Sequence, residues 1–272
     1  MNQNEKAARF QALHQSGEVL LFPNLWDGGS ARMLEQLGFQ ALATSSGACA
    51  ATLGRRDGKI SRAEALAHCR QIVAATNLPV AADLENGFAH DPASVAETIR
   101  LAAEVGLVGG SIEDSSGDQN QPQYDLSLAV ERIVAAVEAA KALPFKFTLT
   151  ARAENFFRGK PDLSDTIQRL TAYERAGADV LFAPALPDLA AVRELCSAVR
   201  KPVNFMVGIK GKSFTVAELT AAGVKRISFA SSLYRTAMTG LLNAAREIKT
   251  TGTFGYLENT LTTPQLNEFL RS

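Results

Sequence analysis

The sequence predicts an α/β fold, a (β/α)8 TIM barrel formed as one domain over residues 1–272 with a C-terminal helical extension. Three observations carry this expectation: apolar runs without polar alternation, a glycine or proline breaker before each run after the first, and amphipathic stretches between runs. Apolar runs of this kind suit strands buried on both faces. Strict alternation of strand and helix implies parallel pairing through right-handed crossovers. An open doubly wound sheet is the alternative, but no GxGxxG follows the first run, and eight units in one chain of this length favour closure.

The elements follow in order. An amphipathic segment, Glu5 to Gln15, precedes the first run, VLLFPN (Val19 to Asn24), and a helix is expected from Asp27 to Leu37. The breakers are then LGF from Leu37, LPV from Leu78, VGL from Val105, LPF from Leu143, AGA from Ala176, KPV from Lys201 and AGV from Ala222. Glycine supplies a left-handed helix cap, and proline stops a helix and starts an extended segment. The runs they release are ALATS from Ala41, VAAD from Val80, GGSIED from Gly109, FTLTAR from Phe147, VLFAP from Val180, VNFMV from Val203 and ISFAS from Ile227. With VLLFPN these make eight strands. Helical stretches lie between them at Ser61 to Thr76, Asp91 to Val105, Asp125 to Leu143, Leu163 to Ala176, Asp188 to Val199 and Thr215 to Ala222. A long helix, Ser231 to Lys249, follows the last strand, and Thr253 to Ser272 lies beyond the eight units.

Composition narrows the partners. Hydrophobic residues make up 46% and aromatic ones only 7%, so the core is aliphatic and large enough to fold alone. Basic and acidic residues both number 28, so no global field draws nucleic acid or an anionic membrane, and a small-molecule partner is expected. No run approaches the roughly 20 apolar residues of a membrane span, and the polar N-terminus is unlike a leader, which points to the cytoplasm. Cys49, Cys69 and Cys196 lack CxxC or Cys/His spacing, so they are expected to be free thiols. His90 reads as a surface loop residue. The segment Gly208 to Ser213 ends in GKS, but Met206 stands where a phosphate-binding loop needs glycine.

In a barrel the chemistry belongs at the carboxyl ends of the strands. Those ends carry Trp26 and Asp27, Ser45-Ser46-Gly47, Asp83 and Glu85, Glu113 and Asp114, Arg152, and Asn204. Asp83 and Glu85, two apart on an extended chain, are expected to point to the same side. Carboxylates without paired His or Cys indicate magnesium or manganese rather than zinc. Arg152 offers a planar fork to a substrate carboxylate or phosphate. The small turn Ser46-Gly47-Ala48 can turn backbone N–H groups toward an anionic oxygen.

Together, PNLWDGGSARMLEQLGFQALATSSGA, RRDG, AADLENGF, SIED and TARAENF resemble the isocitrate lyase and phosphoenolpyruvate mutase superfamily, over nearly the whole chain. The resemblance implies a barrel whose last helix is exchanged between subunits, in a homodimer or homotetramer. It also implies magnesium (or manganese) and a 2-oxo acid or its enolate. By position, Asp83 resembles the direct metal ligand, with Asp57, Glu85 and Glu113 joining through water. Ser46, Gly47 and Ala48 match the turn for the 2-oxo carboxylate, Arg152 and Asn204 match substrate-binding positions, and Arg152 and Glu113 are the expected catalytic pair. Glu85 stands where many relatives carry aspartate.

The departures choose the subgroup. The loop Ser115 to Asp125 lacks the K-[KR]-C-G-H motif of the lyases, and it also lacks the lysines of the mutases and phosphonopyruvate hydrolases. Apolar Phe205 and Met206 follow Asn204, which suits a small substrate. The expectation is therefore a magnesium-dependent lyase or decarboxylase of an oxaloacetate-like 2-oxo acid, acting through a metal-stabilised enolate. Phosphonopyruvate hydrolase or mutase-type P–C chemistry and a 2-oxo acid binding protein with little catalysis remain as alternatives. Cys49, just past the turn, is expected to be a packed thiol. On the long helix, Leu233, Ala237, Leu241 and Ala244 form one apolar stripe. Exchange of this helix between subunits would bury that stripe together with Phe254, Tyr256 and Leu257.

Overall fold

The structure, a computed structural model, describes residues 1–270; Arg271 and Ser272, the end of the expected tail, lie outside the described residues. After helix α1 (Gln3–Gln15), the first apolar run forms two short strands, β1 (Leu20–Phe22) and β2 (Asn24–Leu25), separated by Pro23. The remaining strands are β3 (Leu42–Thr44), β4 (Val80–Asp83), β5 (Gly109–Glu113), β6 (Thr148–Arg152), β7 (Val180–Phe182), β8 (Val203–Met206) and β9 (Arg226–Ser228). All pairs are parallel, in the order β1-β9-β8-β7-β6-β5-β4-β3-β2. Because β1 and β2 are consecutive halves of one strand, this order is a closed ring of eight.

Pro23 is where the strand changes neighbours. It has no N–H to give a ladder, but its carbonyl accepts from Ala43 N at 2.9 Å. The next residue stitches the seam: Asn24 Nδ2 donates to the Thr44 carbonyl at 2.6 Å, and Asn24 Oδ1 accepts from Phe229 N at 2.8 Å. One buried side chain thus ties the first strand to the second and to the last.

The intervening helices are α2 (Gly28–Gln36), α3 (Ser46–Thr52), α4 (Arg62–Ala75), α5 (Pro92–Glu104), α6 (Leu126–Lys141), α7 (Leu163–Ala176), α8 (Leu189–Ala198) and α9 (Val216–Ala221). Most start on a side-chain cap, such as Asp27, Ser61, Asp91, Asp188 or Thr215, which satisfies N–H groups the helix cannot pair itself. Helix α3 corrects the sequence reading, in which SSGA was only a turn. Ser45 caps it, and the small residues after it allow seven residues of helix.

The main core lies between the helices and the barrel wall. A second cluster fills the barrel's base, where Ala7 and Phe10 of α1 meet Leu20, Phe22, Ala41, Ala43, Ala81 and Val108. Gly109 makes room for this plug, since a Cβ there would lie 3.0 Å from Phe10 Cε1 and 2.8 Å from the Thr148 carbonyl. Among the described residues no helix is long and apolar enough to cross a membrane.

Helix α10 (Ser232–Thr251) leaves the barrel: none of its residues is buried, and Met238, Leu241, Leu242 and Ile248 are exposed. The tail continues as a 3-10 turn (Gly255–Asn259) and α11 (Thr263–Phe269), which returns beside α2, where Arg32 Nη1 donates to the Leu270 carbonyl at 3.2 Å. Phe254 and Leu257 are more than half exposed, at 58% and 56%. Within one chain, therefore, Leu233 and Ala244 of the stripe are half-buried, while Ala237 and Leu241 stay exposed.

His14, on the plug helix, bonds through Nδ1 to the Phe10 carbonyl at 2.8 Å, which makes Nε2 the acceptor facing Arg226. Burial, with the Arg226 charge adding to it, lowers its pKa from 6.5 to about 4. The unfolded chain therefore takes up the proton first, and His14 costs the fold stability as pH falls from 6.5 toward 4. In urea titrations the wild type should lose about 2 kcal/mol more than His14→Gln between pH 7 and pH 5. Equal losses would contradict this assignment.

Candidate active site

The carboxyl ends of the strands open into a cavity of about 520 Å³. Asp57, Asp83, Glu85 and Glu113 line it together with Ser46, Gly47, Arg152 and Asn204. Asp83 closes β4, where its Oδ2 accepts from Ser46 N at 3.2 Å and its Oδ1 from Glu85 N at 3.3 Å. Asp57 reaches in from the loop after α3 and presses on Gly47, where a Cβ would lie 3.3 Å from Asp57 Oδ2. A side chain at position 47 would push the Asp57 carboxylate back by a few tenths of an ångström.

Glu85 arrives by a route the sequence reading did not foresee. The chain does not stay extended after Asp83; Glu85 turns into the left-handed region at φ 50, a conformation disfavoured for a side chain with a Cβ. Its carbonyl accepts from Glu113 N at 2.9 Å, which holds the turn in place. The two carboxylates share the cavity because of this turn and not because of strand alternation.

Arg152, at the end of β6, is the cation among these acids. Its Nη1 lies 3.2 Å from Glu113 Oε2 and 3.8 Å from Asp83 Oδ1, and its Nε bonds Glu154. Arg158, four residues after Glu154, adds 3.1 Å contacts to Glu113 Oε1 and Glu154 Oε2, the second without the alignment of a hydrogen bond. Burial opposes the Arg152 charge, but Glu154, Glu113 and Asp83 outweigh it and keep the guanidinium protonated.

The acids outnumber these cations, and their titration reflects it. Burial, then the charges of Asp83 and Asp57, pushes Glu85 up to about 7. Burial likewise pushes Glu113 up to about 8 despite Arg152 beside it, with Glu154 and Asp83 adding to the rise. Glu85 Oε1 is buried with no hydrogen-bond partner.

These groups suit a hard divalent cation. The donors are all oxygens, they repel one another, and one oxygen is left unpartnered. Among the described residues no three His, Cys, Asp or Glu side chains converge closely enough to chelate an ion alone. The arrangement is compatible with one direct carboxylate and others acting through water, as magnesium's retained waters allow.

Other expected residues fall less simply. Ala48 does not line the cavity; it is buried, and its N–H is spent on Ser45 Oγ at 3.3 Å. The Ser46 N–H is held by Asp83, while Gly47 N–H has no acceptor within its helix. Asn204 lines the cavity, but its Oδ1 accepts from Arg226 Nε at 2.8 Å and its Nδ2 donates to Ser228 Oγ at 2.9 Å. Asp114 turns away to anchor the following loop, accepting from Tyr173 Oη at 2.7 Å and Arg169 Nη1 at 3.1 Å. Asp27 caps α2, and Trp26 packs edge-on against Tyr234 of α10. Cys49 is a buried thiol, pushed up to about 11 by burial first and nearby acids second. His90 is exposed, as expected, but shares a 2.7 Å hydrogen bond with the Tyr124 hydroxyl beside an adjoining cavity that Glu85 and Glu113 also line.

Sequence reasoning missed Arg158 and Arg226. The i,i+4 spacing of Glu154 and Arg158 was the available signal for the first. Arg226 was hidden because the last strand was read from Ile227, which left the arginine in the preceding polar turn; the strand begins at Arg226.

Comparison with known proteins agrees with this geometry. The family model described as phosphoenolpyruvate phosphomutase matches residues 10–249. The chain is 31% identical over 240 residues to an uncharacterised protein of Mycobacterium tuberculosis, covering 88% of each. It is 32% identical over 215 residues to the 2-methylisocitrate lyase of Escherichia coli, covering 75% of this chain and 71% of that one. A crystal structure of a candidate lyase/mutase from Burkholderia cenocepacia superimposes with a TM-score of 0.97 at 48% identity, covering 99% of this chain and 97% of that one. The closed parallel barrel, the acids at its carboxyl end and these matches together make the chain a member of the isocitrate lyase and phosphoenolpyruvate mutase superfamily of enzymes.

Proposed function

We propose that the protein is a magnesium- or manganese-dependent lyase that cleaves a carbon–carbon bond beside the oxo group of a small, oxaloacetate-like 2-oxo carboxylic acid. The observation that carries this reading is the wall of four carboxylates, Asp57, Asp83, Glu85 and Glu113, on one cavity. Asp83 would be the direct ligand, with Asp57, Glu85 and Glu113 holding its waters. A divalent cation bound there supplies Lewis-acid stabilisation of the negative charge that develops on the substrate as the bond breaks.

The chain's own groups do the rest. Arg152, locked between Glu113 and Glu154, presents a fixed guanidinium to the substrate carboxylate and loses little freedom on binding. Glu113 orients both Arg152 and Arg158. Ser46 and Gly47 shape the turn against which the 2-oxo carboxylate rests, with the Gly47 N–H as its donor. The loop after β5 folds on itself, with Ser116 N donating to the Pro122 carbonyl at 3.1 Å and Tyr124 N to the Asp114 carbonyl at 2.9 Å. It brings no lysine or cysteine. Loss of carbon dioxide needs no proton abstraction and so suits this loop, with water returning the proton.

The test is a screen of oxaloacetate, 2-oxoglutarate, phosphonopyruvate and 2-methylisocitrate, each with magnesium and with chelator. The expected result is chelator-sensitive C–C cleavage of an oxaloacetate-like acid, reduced at least about 100-fold in Asp83→Ala and Arg152→Ala. Turnover of phosphonopyruvate alone would replace this reading with P–C chemistry, and tight binding without product would favour a binding protein.

The partner in this reading is a second copy of the chain. Helix α10 and the tail expose Leu241, Leu242, Phe254 and Leu257, more apolar surface than a lone helix presents to water without a partner. A helix-exchanged dimer, paired into a tetramer, would bury it. Light scattering at micromolar concentration should give a mass of two or four chains, and a monomer would contradict the exchange.

A further inference from the structure

Arg226 is a buried cation for which the fold supplies no counter-charge. It is 4% exposed, yet it lines the same cavity as the acids. Its Nε donates to Asn204 Oδ1 at 2.8 Å, its Nη2 to Thr150 Oγ1 at 3.0 Å, and its Nη1 faces His14 Nε2 at 3.4 Å. Its guanidinium stacks 4.9 Å from the Phe22 ring centroid. All of these partners are neutral. Among the described residues no carboxylate lies within ion-pairing distance of it. Burial alone depresses its pKa, to about 9, with no acid opposing the shift. Arg132 is likewise buried without an acid, but it stacks on Tyr124, bonds the Asn86 carbonyl and does not line the cavity.

Its position is equally specific. One line of strand register runs Glu113, Arg152, Phe182, Asn204, Arg226 across β5 to β9. In a ring of eight strands, β9 stands opposite β5. The cavity therefore has an acid wall at Asp83 and Glu113 and a lone cation across from it, above the Phe10 plug. An isolated buried charge is costly unless something compensates it, and the cavity is the open side from which compensation can come.

We propose that Arg226 receives a second carboxylate of the substrate, so that the ligand is a 2-oxo dicarboxylate. Its 2-oxo carboxylate lies at the acid wall and its distal carboxylate at Arg226. This rests on the reading of the acid wall as the site for the 2-oxo head. It also deepens it, because it names the residue that selects a second carboxylate.

The test is calorimetric binding to the magnesium-loaded protein of 2-oxoglutarate and 2-oxopentanoate, which differ only in a terminal carboxylate, with pyruvate as the head alone. The wild type should bind 2-oxoglutarate at least about tenfold tighter than 2-oxopentanoate, the scale of a charge-assisted hydrogen-bonded pair. Arg226→Gln should lose that preference while its affinity for pyruvate stays within about twofold, and Arg226→Lys should retain part of it. Equal binding of the two five-carbon acids by the wild type would overturn the proposal without needing any variant, as would a preference surviving in folded Arg226→Gln. If the wild type binds none of the three acids, the acid-wall reading falls and this one with it.

Discussion

The site depends on one buried guanidinium. Arg152 touches Asp83, Glu113 and Glu154 at once, and it joins three strand ends that would otherwise repel one another. Taking such charges out of water is expensive, and their mutual attraction offsets that cost only when the set is complete; removing one member of a buried pair costs about 3–5 kcal/mol. Arg158 completes one side through Glu113 and Glu154. The other side, at Glu85 and Asp57, has no such cation, and there an oxygen is orphaned and a carboxyl is pushed up to about 7. The guanidinium contacts thus gather toward β6, but burial keeps Glu113 and Glu154 raised there too, so the whole set is short of positive charge.

That asymmetry is affordable because the barrel is built to stay open above and sealed below. Small residues, Ala43, Ala81 and Gly110, line the cavity where larger ones would fill it. Phe10 and Phe22 close the base, and Asn24 locks the strand that Pro23 divides. Arg226 sits at the boundary between plug and cavity, held by Asn204 and Thr150. The same side chains that make the barrel stable therefore give the cavity opposite electrical ends.

Much of this was legible in the sequence. Breakers followed by apolar runs located β3 to β9, because a buried parallel strand must be apolar on both faces. The acids and Arg152 were legible as strand-end residues. What was not legible depended on backbone turns and long-range contacts. The left-handed turn at Glu85 carries no glycine to announce it. Ala48 was placed on the cavity because a turn and the first turn of a helix look alike over three small residues. Arg226 was lost because a charged residue at a strand's first position resembles the turn before it, and only register places it inside the barrel. Asp57 was legible through the family motif, since its contact with Gly47 joins a loop to the start of α3, which spacing alone does not relate.

On this account the acid wall is short of positive charge, and a divalent cation bound there would release protons from Glu85 and Glu113. Magnesium titration at pH 7 by calorimetry, in two buffers of different ionisation enthalpy, measures those protons directly. With Glu85 near 7 and Glu113 near 8, binding should release roughly one and a half protons per ion. Binding heats that do not depend on the buffer, or no saturable binding at all, would contradict the account.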